Sequence, residues 1–386
     1  MQELLRQNNI ALLHEIEQLQ HSLIEAQVNV PSGLRTYTTW IIKECDILHQ
    51  RVLHNLEYLE FGLENLLKDI LSETELVTRA FYDLNGQRVS PILRARPSDR
   101  LSLKFLQWLH ATHPKAKNIP AAICDGEFGI LPIQPTLYAT PCTSQRRLRN
   151  LPIFFHEFGH LLYTFHQPEI KDLVNELQTE IRDLLPSPVA RNDQYAQTQE
   201  TSRNVIVDTW YEWAQECFCD AVGLVMGGPS FTHAFSMYFR VLGGNEYHVP
   251  KGELAHRSHP VTWIRIHLLA DRARQMDYEE VATDLEEEWN QAATALRVIE
   301  DYNGFYHHTF LPIIQQKLDD MLTEVSPRQF QESEVPNQEL ESSLTSPVAL
   351  LNRAWQKFIE DPDGYREWEE DAIARFLDAD LGTFLT

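Results

Sequence analysis

The chain has 386 residues, 43% hydrophobic and 23% charged, an ordinary globular composition with material for a sizeable core and about two or three domains. Its 56 acidic against 33 basic side chains leave a net charge of −23, which speaks against partners held through a broad basic surface, nucleic acid and anionic lipid among them. No run approaches the ~18 apolar residues of a spanning helix, no basic start leads into an apolar stretch, and the five cysteines form no CxxC pair, so a cytoplasmic protein with reduced thiols and no membrane partner is expected.

Residues 1–28 read as a helix. Leu5, Asn9, Leu12, Ile16, Leu19, Leu23 and Ala26 recur at alternating steps of four and three, a heptad seam with one polar position. The seam suits packing on a neighbouring helix first, and a homodimer through this N-terminal helix second. Val30-Pro31-Ser32-Gly33 breaks it, and a second helical pattern runs from about Thr38 to Leu71, so residues 1–75 are expected to form a helical hairpin.

Residues 76–322 are mixed and read as one catalytic domain. Leu101 to His110 is helical in pattern, whereas Ile119 to Thr140 has short-strand chemistry. Its part Phe128–Thr140, with Pro132 and Pro135, is expected to supply an edge strand for an extended substrate. Helical patterns follow from about Leu151, Glu169, Val205, Phe231 and Val261, with a polar loop at Asn192–Asn204. Residues 323–346 are acidic and poor in large apolar side chains, a disordered linker by composition. Residues 347–386 form a helical tail whose Trp355, Phe358, Trp368 and Phe376 need a surface to pack on; docking over the catalytic cleft would limit access to it.

The strongest chemical signal is His156-Glu157-Phe158-Gly159-His160, an HExxH. Residues i and i+4 share a helix face, so both imidazoles point the same way with the glutamate beside them. Zinc takes such imidazoles and leaves a position for water, whose proton the glutamate accepts. The apolar wall of Ile153, Phe154, Phe155, Leu161 and Leu162 marks the helix as buried, where bare histidines need a partner. A third ligand is wanted. Asp208, Glu212, Glu216 and Asp220 repeat every fourth residue in an aromatic-rich helix, where like charges one turn apart are unfavourable without a cation. Glu216 with Asp220 suits a ligand plus a carboxylate orienting a histidine; Glu212 competes one turn earlier. Cys217 and Cys219 face different sides of that helix and read as buried small hydrophobes, and His307-His308 as part of an aromatic packed segment.

HExxH followed by a helix with ExxxD resembles the gluzincin metallopeptidases. Ser258-His259-Pro260-Val261-Thr262-Trp263-Ile264-Arg265-Ile266 is similar to the S/T-H-P-x4-R-I motif of the family that includes the CAAX prenyl endopeptidases. The resemblance covers about Ile119–Leu269. It implies His156, His160 and Glu216 as ligands of one Zn2+ per chain, Glu157 as base, and Asp220 as the partner of the first histidine. It also implies that His259 steadies the oxyanion and that Arg265 braces the site. Among this chain's other histidines, His256 competes for the oxyanion role, and His248, in a loop near the third motif, is a lesser candidate for a substrate contact. Many relatives span a membrane and this chain cannot, so prenylated substrates are not carried over. The expected protein is α+β and predominantly helical. A zincin-like catalytic domain with a small edge-strand sheet would follow the N-terminal hairpin. It would act as a zinc-dependent endopeptidase on protein or peptide substrates. The alternatives are a metal-binding regulator that does not turn over and a zinc hydrolase of a non-peptide bond; intact Glu157 favours catalysis.

Overall fold

The computed structural model describes residues 1–62, 64–187, 193–240, 247, 251–255, 257–298, 300–335, 344 and 346–379. They are predominantly helical, with one small sheet, and no helix among them is long and apolar enough to cross a membrane. They fall into two compact units, Met1–Gln107 with Asn118–Arg146, and Trp108–Lys117 with Arg147–Thr386. This division differs from the expected breaks near 75, 322 and 346: the sheet belongs with the N-terminal helices, and the tail with the second unit.

In the first unit, α1 (Gln2–Gln27) packs on α2 (Arg35–Glu60) and α3 (Leu67–Asp83). The heptad seam is what α1 buries, so its apolar face is used within the chain. Its one polar position is satisfied: Asn9 donates to the Thr74 hydroxyl at 2.9 Å, and Asn55 donates to Asn9 at 3.1 Å. The expected second helix is two helices, because Phe61-Gly62 ends α2 with Gly62 at φ +64°, a conformation that glycine adopts at little cost. A hairpin thus becomes a bundle of three. After α4 (Ser90–Leu93) and α5 (Arg100–Ala111), the sheet follows: β1 (Ala121–Asp125), β2 (Gly129–Leu131) and β3 (Thr136–Thr140), in the order β1-β3-β2. β3 pairs parallel with β1 and antiparallel with β2. It is therefore central, and of the predicted edge segment only β2 lies at an edge. The two prolines fall between β2 and β3, where no ladder hydrogen bond is lost.

The second unit is helical: α6 (Ile153–Phe165), α7 (Gln167–Leu184), α8 (Asp193–Gly227), α9 (Pro229–Arg240), α10 (Lys251–Leu254), α11 (Thr262–Gln275), α12 (Glu279–Leu296), α13 (Leu311–Val325), α14 (Pro347–Glu360) and α15 (Tyr365–Asp378). α8 packs along α6, with α7, α9, α11 and α13 around it. The polar stretch expected as a loop is the start of α8 from Asp193. Its Gln, Glu and Arg side chains are good helix formers lying on an outer face, and Arg182 of α7 pairs with Glu200 at 2.7 Å. The insert helix α7 buries Ile170, Val174, Leu177 and Ile181 against α8 and α13.

The expected linker begins as ordered chain. Phe330 N–H donates to Val225 O at 2.7 Å, and buried Glu334 pairs with Arg328 and accepts from the Ser346 hydroxyl. Residues 336–343 and 345 lie outside the described residues. The tail docks on the start of α6 and on the α8–α9 bend. Trp355 Nε1 donates to Arg149 O at 3.0 Å, and Asn352 donates to Gly227 O and accepts from Ser230 N–H, each at 2.9 Å. Fully buried Glu369 accepts from Leu148 N–H and Arg147 Nη1 at 2.8 Å and from the Tyr365 hydroxyl at 2.9 Å.

Candidate metal centre

Two helices bring the ligand-type side chains together because they approach closely. A Cβ on Gly159 of α6 would lie 2.8 Å from Cys219 Cα of α8, so glycine alone allows this separation. Gly227 meets the Phe155 ring in the same way at the far end of α8. Beside the Gly159–Cys219 contact, His156, His160 and Glu216 place one ligand atom each within 4.8 Å of one another. All three are embedded in the second unit.

Each imidazole is oriented from behind. His156 Nδ1 lies 2.8 Å from Asp220 Oδ1; the carboxylate only accepts, so Nδ1–H donates and Nε2 faces Glu216, 3.5 Å away. Gln215, which sequence reasoning missed, sets its side-chain amide 3.0 Å from His160 Nδ1. The amide nitrogen is the atom at that distance and donates to Nδ1, which fixes the ring with its Nε2 toward Glu216 Oε1 at 3.5 Å; turning the amide over would let its oxygen accept from Nδ1–H instead. Its signal was adjacency: the residue before a ligand on a helix lies about 100° round from it and reaches the next imidazole.

Asp220 is held by Arg265 in a fork, Nε to Oδ2 and Nη2 to Oδ1, both at 2.7 Å. Arg265 is buried over the rings of Phe235 and Phe239 and lies 3.6 Å from Glu216 Oε2. It lies behind the cluster, against Asp220 and Glu216. His259 is different. Its side chain is 57% exposed, and its Nε2 lies 3.4 Å from Glu216 Oε1, at the open side of the cluster. Ser258 Oγ is 2.8 Å from its Nδ1. One turn before Glu216, the buried indole of Trp213 donates to Arg257 O at 3.0 Å and ties this segment to α8.

The carboxylate stripe divides. Asp208 and Glu212 are exposed, whereas Glu216 and Asp220 are buried. A step of four residues overshoots a helical turn by about 40°, so the stripe winds from solvent into the core. His248 and His256 lie outside the described residues. Cys217 and Cys219 are buried, and burial raises both thiols. His307 and His308 are exposed rather than packed and lie apart from the cluster of three.

Burial by itself would lower His156; the Asp220 carboxylate at its Nδ1 and the Glu216 carboxylate facing its Nε2 outweigh it and hold the imidazole up at about 10. Burial and the neighbouring His156 charge lower His160 to about 4. Burial pushes Glu157, itself almost fully buried, up to about 7. Against burial, His156 and Arg265 keep Glu216 well below the usual carboxylate range, and Arg265 and His156 do the same for Asp220. Three carboxylates thus gather round one permanent cation. Two imidazole Nε2 atoms face each other at 3.2 Å, and Glu216 Oε2 is buried without a hydrogen bond. Two imidazole Nε2 atoms and an unsatisfied carboxylate oxygen converging in a buried, acid-rich pocket make a donor set that fits a divalent cation, which would displace the His156 Nε2 proton on binding. Comparison with protein-family models, with curated proteins and with solved structures gives no match for this chain.

Proposed function

We propose that the protein is a zinc-dependent endopeptidase of gluzincin type acting on protein or peptide substrates, with α6 and α8 as a zincin-like core. The observation that carries the reading is the buried His156–His160–Glu216 cluster with Glu157 beside it on the same helix. The two-histidine, one-carboxylate donor set suits one Zn2+ per chain, with Asp220 and Gln215 fixing the imidazoles.

A divalent ion held there supplies Lewis acidity to water and to a carbonyl oxygen. Glu157 takes the proton of the attacking water on a carboxylate oxygen and passes it to the departing amine. His259, exposed at the mouth of the cluster, donates to the oxygen on which negative charge develops. Arg265 keeps Asp220 ionised and in place.

The test pairs metal analysis with an unbiased peptide-library digest. Glu157→Gln should keep its metal and lose cleavage by about 10²–10⁴-fold. The reading fails if wild type and Glu157→Gln cleave alike, or if His156→Ala with His160→Ala leaves the metal content unchanged.

A further inference from the structure

Within the second unit, α9, α12 and α14 line a half-open cavity of about 340 Å³ that takes no part in the metal centre. That is the size of a small-ligand site. Its apolar side is aromatic: Trp355 and Phe358 of α14, continued by Ile359, whose side chain is 57% exposed. The opposite side is acidic. Asp284, Glu287 and Glu288 stand at i, i+3 and i+4 on α12, so three like charges share one helix face, which is unfavourable in isolation.

Only one of the three is compensated. Glu288 pairs with Arg240 at 3.0 Å and accepts from Ser236 Oγ at 3.0 Å. Asp284 and Glu287, both solvent-exposed at the cavity rim, make no hydrogen bond or ion pair among the described residues. The polar group on the third wall is also unpaired. The His233 ring stacks on Trp355 with centroids 5.5 Å apart, yet its nitrogens make no hydrogen bond among the described residues. Burial lowers its pKa, so it offers a neutral ring nitrogen. Next to the cavity, the Arg149 guanidinium lies 3.8 Å from the Phe358 centroid, so this aromatic surface already receives a cation.

We propose that this cavity binds an organic cation on an apolar stem, an ammonium or guanidinium group set between Asp284 and Glu287 with its stem against Phe358 and Ile359. A free amine and a basic side chain of a peptide share that chemistry. The site is separate from the cluster proposed to hold zinc, so its fate does not depend on the peptidase reading.

Isothermal titration calorimetry of the full chain at neutral pH tests it with three probes. These are phenethylamine, the blocked dipeptide acetyl-Phe-Arg-amide, and 3-phenylpropionate as the anionic isostere. At least one cation should bind saturably with one site, perturb the His233 imidazole signals in NMR, and bind at least tenfold more weakly to Asp284→Asn with Glu287→Gln. The arm that binds more tightly identifies the source. Ile359→Lys, an exposed substitution that places a cation at the rim, should weaken binding similarly. The proposal is overturned if neither cation saturates, if 3-phenylpropionate binds as well, or if folded carboxamide and lysine variants bind like wild type.

Discussion

Glu212 and Glu216 stand one turn apart on α8, and only the second is buried against the imidazoles. Glu216→Ala should therefore remove stoichiometric metal, while Glu212→Ala leaves it unchanged. The positioning residues should show a graded effect. Asp220→Ala leaves His156 Nδ1 without an acceptor and Arg265 buried without its partner, and should weaken metal affinity by about 10–100-fold. Gln215→Leu removes the corresponding partner of His160 and should fall at the lower end of that range. Metal competition titrations rank the four. A damaging Glu212→Ala beside a silent Glu216→Ala would place the ligand on the other turn.

At the scale of the element, the α6–α8 approach governs whether ligands from two helices meet. Gly159→Ala sets a Cβ against Cys219 backbone, which cannot rotate aside, so the helices must separate. The expected cost is about 1–3 kcal/mol of stability, with weaker metal binding. Gly86→Ala, where a Cβ meets nothing within 4 Å, is the control, and Tm with metal titration reads both. The C-terminus of α6 carries a second dependence. His166 caps it, and its ring lies 5.6 Å from that of His113. His113 Nε2–H donates to Val325 O at 3.0 Å; His113 Nδ1 and His166 Nε2 are buried without partners. Burial lowers both pKa values, and Lys115, 3.3 Å from His166 Nδ1, acts in the same direction against Glu169 and Glu324. Above the unfolded value of about 6.5, both forms are neutral and the pair has no effect on the pH dependence. As pH falls below it, the unfolded chain takes up protons that the fold resists. Stability then drops by at most about 1.4 kcal/mol per pH unit for each ring. Denaturant midpoints between pH 7 and 5 should fall less for His113→Gln with His166→Gln than for wild type. Parallel curves would remove this pair as a cause.

At the scale of the molecule, the tail is part of the second unit. Its contacts lie at the α6 start and at Gly227, which is about 16 Å along α8 from Glu216 at 1.5 Å per residue. Deleting residues from Ser346 onward strips off buried Val348, Leu350, Leu351 and Trp355, and should lower Tm or prevent folding rather than raise turnover. Glu369→Ala is the milder probe. It leaves Leu148 N–H and the Tyr365 hydroxyl without their acceptor, at a cost of about 1–3 kcal/mol by denaturant unfolding. Higher cleavage from a folded, metal-loaded truncation would restore the inhibitory reading.

Local pattern was enough for the helical α+β class, the seam of α1, and the convergence of His156, His160 and Glu216. Each is a matter of spacing along one helix or of residue types that need each other when buried. Tertiary packing decided the rest. Whether polar residues after Asn192 coil or extend α8 depended on the helix beside them. Which strand lay at the edge depended on β1 pairing with β3 across the intervening β2. Gln215 behind His160, Trp213 holding the His259 segment, and Glu369 fastening the tail are pairings between residues 44 to 221 positions apart. Hydrogen bonds over such separations have no period in the chain; they arise only when helices pack closely enough to exclude water and each buried polar group must find a partner.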